Sequence, residues 1–96
     1  MSPINKIKLK ILRNKIDNVD NSLIKLIKQR TTLVKKVIEI KETKKHIVDK
    51  PRIKKILRDI KRKSLKKKID VKLTKMIWLS MIKAYIDFEY RKFKKK

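Results

Sequence analysis

Residues Leu12 to Glu42, LRNKIDNVDNSLIKLIKQRTTLVKKVIEIKE, decide how this chain folds. Leu12, Ile16, Val19, Leu23, Leu26, Leu33, Val37 and Ile40 follow one another at steps of four and three, and the one charged member of the series is Arg30. Residues three and four apart share a helix face, so the stretch predicts one amphipathic helix whose seam must be buried against something. At 1.5 Å per residue that helix is about 45 Å long. A compact globule made from 96 residues is only about 25 Å across. The helix therefore overhangs its own domain, and another subunit is expected to cover the rest of the seam.

Arg30 lies in the seam itself, where a buried guanidinium needs an anion or a carboxylate facing it. Lys41 comes eleven residues later, and eleven steps of ~100° return it to nearly the same face. Arg13, seventeen residues before Arg30, is rotated about 100° off that face. It cannot readily serve the same pocket from within its own subunit, and a pocket shared across a dimer resolves the mismatch.

Composition narrows the class. One domain spanning 1–96 is expected, large enough for one modest core. The chain has no cysteine, which removes disulfides and thiolate metal sites. It has no glycine and only Pro3 and Pro51, which removes glycine-rich phosphate loops and tight hairpins and argues for an all-helical protein. No run of 18 apolar residues and no basic-then-apolar leader is visible, so a soluble, cytoplasmic protein with no membrane partner is expected. The formal charge of +23 invites a nucleic-acid reading. However, it comes from 26 Lys and 6 Arg spread over the whole chain beside 16 Ile, the pattern of coding bias in an AT-rich genome.

Outward from the long helix, Met1 to Lys10 reads as a frayed lead-in or as its first turns. Asp17 and Asp20 suit the positive end of the helix dipole and read as surface or intersubunit ion-pairing groups. Periodicity stops over Glu42 to Val48, a loop containing His46, which has no carboxylate or second histidine at ligand spacing. Asp49 followed by Pro51 is a helix start: the carboxylate accepts from free backbone amides, and proline has no amide to satisfy. A second helix is expected over about Pro51 to Lys63, striped with Ile53, Ile56, Leu57 and Ile60. Lys61 to Lys68 reads as a solvated helix end and loop. Asp70 caps a third helix over about Val71 to Lys92, carrying Leu73, Ile77, Trp78, Met81, Ile82, Tyr85 and Ile86. Trp78 and the methionines read as core, Glu89 prolongs the apolar face with a carboxyl group, and Lys92 to Lys96 is a basic tail.

Leu12-Arg13, Ile16-Asp17, Val19-Asp20, Leu23, Leu26, Arg30, Leu33-Val34, Val37, Lys41, Asp49, Arg52 and Ile56-Leu57 together resemble the all-helical chorismate mutases, over about Leu12 to Glu89. The resemblance implies an all-α fold of three helices with a very long first helix, intertwined as a homodimer with shared active sites. It implies rearrangement of chorismate to prephenate in aromatic amino-acid biosynthesis, an isomerase reaction that needs no cofactor. Arg13 of one subunit and Arg30 of the other would hold the two carboxylates. Lys41 would reach a carboxylate and the ether oxygen, and Glu89 would bond that same oxygen. Asp49 and Arg52 would lie beside the ring hydroxyl, and Tyr85, one turn before Glu89, is counted with the binding residues. Lys41, Glu89 and Arg30 are the catalytic candidates. No Ser, Cys or His is placed as an activated nucleophile, and a pericyclic reaction needs none. It needs a folded substrate and donors waiting where negative charge grows.

Ile53 departs from the family pattern, which commonly has Glu after this arginine. The related isochorismate pyruvate lyases, which make salicylate, carry an apolar residue there, whereas Asp49 favours the mutase. The reading from another class is a small basic helical protein binding nucleic acid. Three of the six Arg residues fall on the expected pocket positions, and an arginine inside a hydrophobic seam cannot grip a duplex. Specific nucleic-acid binding is therefore not expected.

Overall fold

The computed structural model describes residues 1–94. It consists of α1 (Pro3–Ile40), a 3-10 turn (Lys44–His46), α2 (Lys50–Lys66) and α3 (Val71–Lys92), with no strand among the described residues. The all-α class and the very long first helix are as the sequence predicts. Residues Met1–Val34 form one compact unit and the chain from Lys35 onward forms another. Each is described by itself.

In the first unit the helix starts earlier than the apolar periodicity suggests. Ser2 Oγ accepts the Asn5 amide at 3.1 Å and Pro3 opens the helix, so Met1 to Lys10 supplies the cap and first turns of α1. The seam along this unit is open within the single chain: Leu12, Ile16, Val19, Leu23 and Leu26 are each about half exposed, at 48–59%. In the single chain this stripe is an exposed apolar surface.

The second unit has its own small core. Ile38 from the end of α1, Ile47 from the loop, Ile82 on α3 and Phe93 are its buried apolar side chains. Burial of Phe93 corrects the reading of Lys92 to Lys96 as a tail without work, because the ring anchors the end of α3 while Lys95 and Lys96 lie outside the described residues. Trp78 and Met81 are half-buried, but Met76 is 60% exposed and so is not core in the single chain.

Both expected caps form. Asp49 Oδ1 accepts the Arg52 amide at 3.0 Å, and Asp70 Oδ1 accepts the Leu73 amide at 2.8 Å. The helix α2 runs one turn beyond its expected end and finishes at Lys66. There the Ile69 amide reaches the Ser64 carbonyl at 2.9 Å and the Lys68 amide reaches the Leu65 carbonyl at 3.2 Å. This pair of bonds is a Schellman stop, which places Lys68 at φ 57°, in the left-handed region glycine usually fills. A chain without glycine has to accept the strain of a Cβ there. Just before the stop, buried Ser64 donates to the Ile60 carbonyl at 2.6 Å and shares a 2.7 Å hydrogen bond with buried Thr74, pinning α2 to α3.

Candidate active site

Lys41 is the first residue beyond α1, and its amide still completes a helical bond to the Val37 carbonyl at 3.1 Å. This fixes the direction in which its side chain leaves the helix end. The ammonium donates to Glu89 Oε1 at 2.9 Å and more weakly to the Ile47 carbonyl at 3.4 Å. Glu89 is buried on α3, and the two side chains retain only 18% and 11% exposure. Such a shielded pair is a strong, charge-assisted contact. Its desolvation offsets much of the attraction, so its value lies in placing two charged groups rather than in net stability. In sequence the pair is 48 residues apart.

Beside it, an open depression of about 690 Å³ is walled by Lys41 and Asp49, by Lys45 and His46 of the 3-10 turn and by Lys50 at the start of α2. Asp49 caps α2 through the Arg52 amide, so one carboxylate both starts the helix and faces the depression. Arg52 is exposed in the first turn of α2. Ile53, the next residue, is half-buried. Tyr85 is half-buried one turn before Glu89 and stands edge-on to Phe88, with ring centroids 6.3 Å apart.

Lys41 and Glu89 are thus brought into contact, and Asp49 and Arg52 are joined through the helix cap. Arg13 and Arg30 belong to the first unit, Arg13 exposed and Arg30 half-buried. Along one continuous α1, seventeen residues separate them by about 25 Å, too far for a single small dianion to bridge from one helix. Lys45, His46 and Lys50 were not among the expected site residues. Their signal is absent from periodicity, which ends at Glu42, and depends on how the short 3-10 turn curls back beside Lys41. Among the described residues no cluster of His, Cys, Asp and Glu is arranged to hold a metal ion.

Lys41 after α1, the capping Asp49 before α2 and Glu89 on α3 are thus the polar groups placed where these elements join. The family model described as chorismate mutase type II matches residues 12–90. The chain belongs to this chorismate mutase family. No curated protein and no solved structure matches it at a significant level. The family match covers α2 and most of α1 and α3, hence parts of both units and every expected site residue from Arg13 to Glu89. Among the described residues no helix is long and apolar enough to cross a membrane.

Proposed function

We propose that this chain is a chorismate mutase, converting chorismate to prephenate for aromatic amino-acid biosynthesis. The observation that carries the reading is the Lys41–Glu89 contact at 2.9 Å in a chorismate mutase family chain. It puts an ammonium and a carboxyl group side by side, the two groups that would meet an ether oxygen as its bond to carbon breaks. In this reading Lys41 stabilises the charge growing on that oxygen, and Glu89, which holds the ammonium in place, bonds the same oxygen through a protonated carboxyl. Arg30, with Arg13 of a second copy, clamps the two carboxylates through paired donors. Asp49 and Arg52 face the ring hydroxyl, and Tyr85 lines the pocket. Catalysis then consists of holding the substrate in its folded conformer, with no covalent intermediate and no cofactor. The working unit is a cytoplasmic homodimer of one-domain subunits, each site built from both.

A second reading keeps the same site and changes the substrate. Half-buried Ile53 offers no carboxylate to a ring hydroxyl, which suits an isochorismate pyruvate lyase. Purified protein incubated separately with chorismate and isochorismate, with products identified, tests both. Prephenate from chorismate is the expected result. Salicylate and pyruvate from isochorismate, without prephenate from chorismate, would replace the mutase with the lyase.

A further inference from the structure

The groove between α2 and α3 is a second concave site, separate from the Lys41–Glu89 depression. It encloses about 380 Å³, within the size range of small-ligand pockets. Its floor is Leu57, Ile60 and Val71, all half-buried, with buried Thr74 beside them. Its rim is Lys54, Arg58 and Lys61 from α2 and Lys75 from α3, all exposed. No carboxylate lines it.

The rim is unlike the neighbouring face of α2. There Asp59 neutralises Lys55 at 2.8 Å and Arg62 at 3.4 Å. Lys54, Arg58 and Lys61 follow one another at steps of four and three, so they form a single row of like charge, an arrangement that disfavours the helix when nothing answers it. The fold then sets Lys75 across the groove from that row. Asp70, the nearest acid in sequence to the floor residue Val71, is committed to capping α3 through the Leu73 amide. Four cations around an apolar floor are the complement of a molecule that is apolar in the middle and anionic at its edge.

Size selects among such molecules. From Lys54 to Lys61 the row is about 10 Å long, two helical turns, which is short for a docked acidic helix. A nucleic acid would meet phosphate-binding cations, but the floor has no ring on which a base can stack. We propose that this groove binds a small amphipathic carboxylate, an aryl acid whose ring lies on Leu57, Ile60 and Val71 and whose carboxylate is held by Arg58 and Lys75. The inference goes beyond the mutase reading and does not rest on it.

The test is a titration of the full-length, isotopically labelled protein with 2-naphthoate, and with neutral 2-naphthalenemethanol as control, followed by NMR. The expected result is saturable shifts at Leu57, Ile60, Val71 and Thr74, with the acid binding at least about tenfold more tightly than the alcohol. Arg58→Gln with Lys75→Gln should remove that preference while leaving the helical circular dichroism and the turnover of chorismate unchanged. Neither residue belongs to the proposed catalytic machinery, so loss of the mutase reading and loss of this one are separable. Equal affinity for acid and alcohol, shifts confined to α1 or to the Lys41–Glu89 depression, or a groove already closed by a second copy in solution would each overturn the proposal.

Discussion

Glu89 accepts from the Lys41 ammonium, which also donates to the Ile47 carbonyl. An ionised carboxylate can only accept a hydrogen bond, so Glu89 donates to an ether oxygen only while it carries a proton, whereas a glutamine amide donates at every pH. Glu89→Gln keeps the shape and a donor and should retain turnover of chorismate, whereas Glu89→Leu, which can neither donate nor hold Lys41, should lower kcat by at least about tenfold. An unchanged kcat for Glu89→Leu would show that the Glu89 carboxyl is not part of the reaction. A pH effect belongs to Asp59. The Lys55 ammonium bonded to it, with Arg62 nearby, holds its carboxyl below the usual 3.8. A lowered value in the folded state means that the unfolded chain binds the proton more readily. The contribution to stability is thus present above about pH 4 and is lost as pH falls through the folded value. Asp59→Asn should remove this part of the acid dependence of urea unfolding, and high salt should erase the difference between the two proteins, since the pair is at the surface.

The stop of α2 shows how an element is finished without the residue that usually finishes it. Lys68 sits at φ 57° because both Schellman bonds require a left-handed residue between Lys67 and Ile69. Holding a residue with a Cβ there costs about 1–2 kcal/mol, while glycine would add about 0.4–1 kcal/mol of unfolded-chain entropy. Strain relief is the larger effect, so Lys68→Gly should stabilise the protein by about 0.5–1 kcal/mol. Thermal unfolding with Lys68→Ala as control checks it: alanine keeps the Cβ and should bring no comparable gain. The same short connection presents Thr74 to Ser64, so the turn that carries the strain also sets the register of α2 on α3.

For the whole molecule, the seam of α1 is the deciding surface. From Leu12 to Leu26, within the first unit, its apolar side chains are about half exposed. A second copy laid along the seam would cover it and could bring a partner Arg13 to the site containing Arg30. Arg13→Ala and Arg30→Ala subunits should then each be inactive alone. Mixed under conditions that exchange subunits, they should recover about a quarter of wild-type activity, because half the dimers are hybrids in which one site has neither defect. Absence of recovery despite demonstrated exchange would mean that each site is complete within one subunit.

By itself, the sequence determined the all-helical class, the long first helix and the starts of the other two. These depend on local chemistry: a four-and-three apolar period, two aspartate caps, one early proline and the absence of glycine. It also placed Lys41 and Glu89 among the candidates, through their position after the long seam and on the apolar face of the third helix. Their contact across 48 residues, the burial of Phe93 in a basic stretch and the curl of the loop that sets His46 beside Lys41 and Asp49 were decided only by tertiary structure. So was the gathering of Lys75 with the α2 cations around one groove. Periodicity reports which face a residue occupies on its own helix, but which two faces meet is settled by how helices of unequal length bury their stripes together.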